Sequence, residues 1–251
     1  MLVKHKSIDG MTLGYLGSLN DLSLIVVIGR SNYKKSSESL DALVKALHAS
    51  GHSVCWFENR QTQTAKLLED KFERLWGSRV SKFCKHNFLI GNLLRKTIKI
   101  FVLLAHPTRW GYFLTVFKNS NQRIANDLRK FLRHFPARRI YLFSHSAGGI
   151  VSSLGEAEDS VTKLVCFGYP FKHPDQDEEP SRTAHLKKMI KPFLIIQGDQ
   201  DEYGSAQDSK RYKLSSSISV VPIQADHGYD NLSVSEYQKC LELLEKFLTL
   251  P

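Results

Sequence analysis

Hydrophobic positions along the chain fall into two kinds of pattern that take turns. Short, continuous runs rich in β-branched residues occur at SLIVVIG (23–29), HSVCWF (52–57), KLVCFG (163–168), FLIIQG (193–198) and ISVVPI (218–223). Runs of this kind predict strands buried on both faces. A sixth, YLFSHSAGG (141–149), is apolar and ends abruptly in Ser-His-Ser-Ala-Gly-Gly, which predicts a buried strand turning sharply into a helix. Between the runs, Leu40, Leu43, Val44 and Leu47 recur at helical spacing and predict a helix over 37–50, stopped by Gly51. Ile124, Leu128, Phe131 and Leu132 predict another over 121–134. Tyr237, Leu241, Leu244 and Phe247 predict a third over 234–249, opened by the capping box Ser233-x-x-Glu236. Residues 2–19 predict a weak amphipathic hairpin turning at Asp9-Gly10. Strands alternating with helices predict the α/β class: a mostly parallel sheet with helices on both faces.

The alternation pauses at Asn59 and resumes near Ser120. Ala65, Leu68, Phe72, Leu75 and Trp76 recur at helical spacing, as do Leu89, Leu93 and Leu94. Further cations (Lys82, Lys85, Arg95, Lys96, Lys99) alternate with Phe83, Phe88, Ile98, Ile100 and Phe101. The pattern breaks at His106-Pro107-Thr108, and Trp110, Tyr112, Phe113 and Phe117 follow. With no Pro/Gly/Ser-rich linker and no internal repeat, the expected organisation is one domain, 1–251, carrying a helical insertion at 60–119.

Composition adds one feature to this picture. A hydrophobic content of 42% in 251 residues is enough for a full core, but the net charge of +10 is unevenly placed. Residues 61–120 hold eleven Lys/Arg against Glu69, Asp70 and Glu73, which is +8 of the total. The positive charge therefore belongs mostly to the insertion. The first ten residues, MLVKHKSIDG, have no apolar core or cleavage site, so no signal peptide is expected. The longest apolar stretch, about 88–105, contains Arg95, Lys96 and Lys99, which argues against a membrane span. Cys55, Cys84, Cys166 and Cys240 are far apart, and Cys55 and Cys166 fall inside strand-like runs. Reduced thiols in a cytoplasmic protein are expected. Neither a phosphate-binding glycine loop nor a zinc-spaced His/Cys cluster is present, and nothing in the pattern calls for a metal or cofactor.

Ligands of mostly parallel sheets bind at the C-terminal ends of the strands, and three of those ends carry reactive residues. Ser146 follows the YLFSH run. Asp199, Asp201 and Glu202 follow FLIIQG, and His227 follows ISVVPI. A serine hydroxyl is a poor nucleophile at neutral pH, so an imidazole must take its proton, and a carboxylate must hold that imidazole. The same chain order, Ser…Asp…His, marks the α/β-hydrolases. Here the sequence resembles that superfamily, over about 22–59 and 120–251. Gly168-Tyr-Pro-Phe171, Pro174, Arg182-x-x-His185-Leu186 and Gln197-Gly-x-x-Asp201 resemble a dienelactone-hydrolase-related branch of serine hydrolases. The elbow departs from G-x-S-x-G at its first position, where Ser144 stands.

The resemblance implies a catalytic set of Ser146, Asp201 and His227. Asp201 is assigned by the pattern G-x-x-D counted from Gly198, with Asp199 and Glu202 as rivals on the same loop. It also implies an oxyanion hole made by the backbone N–H of Ala147 and that of Arg30 or Ser31. Arg30 has two readings, a holder of substrate carboxylate or phosphate and a solvated surface arginine. Arg182 and His185 are read either as pocket residues or as a structural loop. His145 is expected to point away from Ser146 and to serve in packing.

The function that follows is a serine hydrolase of carboxylic esters or thioesters, working through an acyl-enzyme on a small acyl substrate, without a cofactor. For the insertion, three readings stand: a helical cap with solvated lysines, a lid that attracts an anionic head, and a contact with an anionic membrane surface. No nucleic-acid-binding motif is present. The competing reading of the whole chain is a non-catalytic scaffold that binds an acidic partner or a membrane surface through the insertion.

Overall fold

Alternate residues of each central strand enter two different apolar layers. Leu24, Val26 and Ile28 pack with Leu142, Leu164, Cys166 and Ile195 on one face, while Ile25 and Val27 pack with Tyr141, Phe143, Val165, Phe167 and Ile196 on the other. This alternation is the period-two geometry of a strand, and it explains why continuous apolar runs were needed. The computed structural model of the protein describes residues 3–8, 11–29, 37–86, 88–107, 110, 120–135 and 139–249, with backbone alone for part of 75–99.

The strands are β1 (Lys4–Ile8), β2 (Met11–Leu16), β3 (Ser23–Ile28), β4 (Ser53–Trp56), β5 (Arg139–His145), β6 (Val161–Phe167), β7 (Phe193–Gly198) and β8 (Ile218–Ile223). They form one eight-stranded sheet in the order β1-β2-β4-β3-β5-β6-β7-β8. From β4 to β8 every pairing is parallel. The N-terminal hairpin is more than a weak appendage. Its second strand pairs antiparallel with β4, from Gly14 against Trp56 to Leu16 against Val54, and extends the sheet. The expected turn at Asp9-Gly10 lies outside the described residues.

One face is covered by α1 (Glu38–Ala49), whose Leu40, Leu43, Val44 and Leu47 are all buried, and by the C-terminal helix (Val234–Thr249) through Cys240, Leu244 and Leu248. The opposite face is covered by the helix Ser120–Leu132, through Ala125, Leu128, Phe131 and Leu132, and by the helix Ala147–Gly155. Each fully buried Leu or Phe here contributes about 1.5–3 kcal/mol relative to exposure. The predicted capping box forms by half. Ser233 Oγ accepts from the Glu236 N–H at 3.2 Å, but the Glu236 carboxylate accepts from the Gln224 N–H, tying the helix to the end of β8.

The chain divides into two compact units, Met1–Glu58 with Asn121–Pro251, and Asn59–Ser120. Within the second, α2 (Arg60–His86) and α3 (Phe88–Leu104) are the expected helices, and α2 is broken at Gly77, whose φ of 69° and ψ of 172° leave the helical region. Phe72 and Ile98 are buried together with Val102 beside them. Lys71 Nζ lies 2.9 Å from His106 Nε2, and the Trp110 indole donates to the Leu103 carbonyl at 3.0 Å. Tyr112, Phe113 and Phe117 lie outside the described residues. Among the described residues no helix is long and apolar enough to cross a membrane.

Candidate active site

β5 occupies the middle of the sheet, between β3 and β6, and its last residue is His145. The chain then turns at Ser146, with φ 54° and ψ −129°, and the helix Ala147–Gly155 begins at once. Positive φ at a non-glycine residue costs about 1–3 kcal/mol and persists only where the surroundings enforce it. Here the Ser146 N–H donates to the Phe167 carbonyl at 3.0 Å and the Ser146 carbonyl accepts from Gly149 at 2.8 Å. The following helix also runs hard against the end of β3. A Cβ on Gly148 would lie 2.6 Å from the Ile28 carbonyl oxygen, so no other residue fits without moving a strand. Ser144, at the unusual first position of the elbow, is fully buried and donates its hydroxyl to the Val165 carbonyl at 2.8 Å. A serine there is accommodated within the sheet.

The acid loop begins where β7 ends. Asp201 is 4% exposed, whereas Asp199 and Glu202 are exposed, so burial separates three carboxylates that the sequence presents side by side. Asp201 Oδ1 accepts from the Tyr203 N–H at 2.8 Å, and Oδ2 accepts from Gln197 Nε2 at 2.9 Å. Gln197 is itself fixed, its side-chain oxygen accepting from the Tyr169 N–H at 2.8 Å. Gln197 is therefore the link between the acid and the loop after β6.

His227 stands on the loop after β8. Asp226 Oδ1 accepts from the N–H groups of Gly228 and Tyr229, at 3.0 and 3.1 Å. Ser37, which caps α1, donates its hydroxyl to the Tyr229 carbonyl at 2.6 Å. The Tyr229 hydroxyl donates to the Ile196 carbonyl at 2.8 Å and accepts from Gly198 at 2.9 Å, and burial pushes its pKa well above the usual tyrosine value. It is a neutral, fixed pin.

These three loops bring Ser146, His227 and Asp201 into one hydrogen-bonded chain. His227 Nδ1 is 2.9 and 3.0 Å from the two Asp201 oxygens, and His227 Nε2 is 2.7 Å from Ser146 Oγ. An ionised carboxylate only accepts, so it holds the proton on Nδ1 and leaves the Nε2 lone pair facing the hydroxyl. That arrangement can draw the proton off Ser146 as its oxygen attacks an electrophile.

Other expected site residues divide. Ala147 is the first residue of its helix, where a backbone N–H is unused by helical bonding. Arg30 and Ser31 lie outside the described residues. Arg182 pairs with Glu179 at 2.8 Å, and its carbonyl accepts from the Tyr169 hydroxyl at 2.6 Å. His185 Nε2 lies 2.7 Å from Ser153 Oγ, and burial lowers its pKa. Both residues brace the loop after β6 on the elbow helix.

His145 does more than pack. Its Nε2 is 2.8 Å from the His227 carbonyl, so a residue of β5 holds the backbone of His227. Strand alternation told which way this side chain leaves the sheet, but a partner more than eighty residues away has no local signal. Gly168 was legible only as part of a motif. Its φ is 59°, and a Cβ there would stand 3.0 Å from Asp201 Oδ2 and 3.2 Å from His227 Nδ1. Beneath the elbow, the buried Cys166 thiol has its pKa pushed up to about 12 by desolvation.

The family described as Alpha/beta hydrolase domain matches residues 117–247, a stretch that contains all three members of the hydrogen-bonded chain. No curated protein matches the sequence. An alpha-beta serine hydrolase homologue from Coxiella burnetii is similar in structure, with a TM-score of 0.57 at 17% identity over 99% of this chain and 97% of its own. Dienelactone hydrolase from Anabaena variabilis gives 0.55 at 15%, over 98% and 95%. The esterase domain of a Rhodothermus marinus protein gives 0.56 at 13%, over 98% of each chain. Identities this low speak to the fold alone, and that fold is the one built above from β3 to β8. Since the family match spans just over half of the 251 residues, the chain belongs to the α/β-hydrolase superfamily.

Proposed function

We propose that the protein is a serine hydrolase that cleaves a carboxylic ester or thioester through an acyl-enzyme. The observation that carries this reading is the unbroken path from Ser146 Oγ through His227 to the buried Asp201. Ser146 Oγ attacks the acyl carbonyl carbon while its proton passes to His227 Nε2, and the carbonyl electrons move onto the oxygen. The Ala147 N–H and one from Arg30 or Ser31 receive that oxyanion. The oxyanion collapses, the bond to the alcohol or thiol breaks, and His227 returns its proton to the leaving group. Water then repeats the sequence on the acyl-enzyme and frees the acid. Neither a cofactor nor a metal takes part in these steps. Solved structures with the same fold carry names such as esterase domain and thioesterase domain, which supports the same direction. The described cysteines, Cys55, Cys166 and Cys240, are buried thiols, in keeping with a reducing compartment such as the cytoplasm.

The competing scaffold reading draws on two features, the serine in place of the first elbow glycine and the unusual basic insertion, and the buried Ser144 hydroxyl, bonded within the sheet, answers the first of them. The insertion's charge is assigned the role of drawing anionic acyl substrates toward the protein by its field.

A fluorophosphonate probe will label Ser146, and both Ser146→Ala and His227→Ala will lower turnover of a p-nitrophenyl ester by about 10⁴-fold or more. A folded wild-type protein that takes no label and turns over no ester would overturn the reading in favour of a scaffold.

A further inference from the structure

Tyr203 touches both partners of the site by different parts of itself. Its backbone N–H donates to Asp201 Oδ1 at 2.8 Å, and its ring lies against the His227 imidazole with centroids 4.3 Å apart and planes 36° from parallel. Its carbonyl accepts from the Lys172 N–H at 2.9 Å, which anchors the residue to the loop after β6. His173 packs edge-on against the same ring at 5.6 Å. The contact with His227 is therefore made by a residue fixed through two backbone hydrogen bonds, with one further ring packed on its side chain.

We propose that Tyr203 is a positioning residue for His227, whose ring face holds the imidazole in line with Ser146 and favours its protonated form. The inference rests on the hydrolase reading and assigns a role to a residue which that reading leaves idle. An aromatic face is the negative end of a quadrupole, and it attracts a cation above it more strongly than a neutral ring of the same shape. His227 is neutral before attack and cationic once it has taken the Ser146 proton. The attraction thus grows along the reaction, which is the condition for lowering a barrier.

Other groups act on the same imidazole and must be held constant. Asp201 faces Nδ1, His145 lies 5.4 Å away ring to ring, and Tyr229 packs edge-on to His145 at 5.8 Å. Asp226 precedes His227 and is occupied with the N–H groups of Gly228 and Tyr229. None of these is moved by changing the Tyr203 side chain, because the bonds from Tyr203 to Asp201 and Lys172 are made by its backbone.

The test is a substitution series, Tyr203→Phe, Tyr203→Trp and Tyr203→Leu, in the full-length protein. The His227 ring is titrated by NMR, its signal assigned with His227→Gln. Leucine covers the imidazole with apolar surface as tyrosine does but has no quadrupole. The His227 pKa should stay near wild type in Phe, stay or rise in Trp, and fall in Leu by about 0.5–1 unit, the range expected of a cation–π contact. The acid limb of kcat/KM should shift down by the same amount in Leu, with the plateau about 3- to 10-fold lower. An unchanged or raised pKa in Leu, or a loss in Phe equal to that in Leu, would overturn the proposal. The NMR titration needs no turnover. A substitution series that responds as described in a protein that hydrolyses nothing would sink the hydrolase reading, while a flat series in an active enzyme would sink only the role of Tyr203.

Discussion

The two compact units of this chain are built on opposite terms. In Met1–Glu58 with Asn121–Pro251, paired apolar layers enclose a sheet, and polar residues near the strand ends hold one another: Gln197 holds Asp201, His145 the backbone of His227, and Ser37 and Tyr229 the loop that carries His227. In Asn59–Ser120, two long helices share a small apolar cluster around Phe72 and Ile98, and the sequence concentrates cations there. The difference separates fixed polar geometry from concentrated charge. Fixed, buried hydrogen bonds suit a nucleophile that must be aimed. A solvated field suits attraction at a distance and needs no fixed geometry.

The comparison is broken most severely at Gly168. Gly168→Ala puts a methyl group beside the bond between Asp201 and His227 and demands positive φ of an alanine. Ester turnover should fall by about 100-fold or more, the scale of a displacement near 1 Å at a catalytic group. Steady-state kinetics on protein with wild-type circular dichroism checks it. Turnover within a factor of two would show that the site is less tightly built than argued.

In the other unit, Phe72→Ala should cost about 3–5 kcal/mol of local stability, since the ring is fully buried in a cluster too small to refill the space. Hydrogen exchange at the amides of α2 and α3 is the readout, and unchanged protection would contradict the packing.

A smaller effect is expected from charge. Reversing Lys96 and Lys99 together to Glu should lower the preference for anionic over neutral acyl esters by about 2- to 5-fold at low ionic strength, and the difference should vanish near 0.5 M salt as screening shortens. A preference that ignores salt would assign the charge to something other than steering.

The smallest effect sharpens the contrast within the site itself. Ser146 should react with a fluorophosphonate while Cys166, directly beneath, takes no iodoacetamide at pH 8. Its thiol is fully buried and its pKa is pushed up to about 12, so the thiolate is absent at that pH. Peptide mass spectrometry before and after denaturation reads this, with labelling expected only afterwards.

Much of the architecture was legible because burial imposes period. The continuous runs became β3 to β8, and the stripe Leu40, Leu43, Val44 and Leu47 became the buried face of α1. The hairpin was legible as a hairpin only. Its place in the sheet depends on pairing with β4, a contact across some forty residues that leaves no mark in local pattern. Likewise Gly77 breaks α2 inside a stretch whose apolar spacing runs on without interruption.

By itself the sequence determined the order of strands and helices along the chain, the elbow at Ser146, and the presence of a carboxylate and an imidazole at later strand ends. Local sterics and the alternation of apolar with polar positions are sufficient for that. Only the tertiary structure separated Asp201, buried and bonded to His227, from Asp199 and Glu202, because the three differ in burial and hydrogen bonding rather than in kind. It alone brought Gln197, His145 and Tyr203 to the site. Each meets its partner through a side chain whose direction is set by the packing of distant strands, and a hydrogen bond or ring contact requires placement within a few tenths of an ångström that no spacing rule can supply.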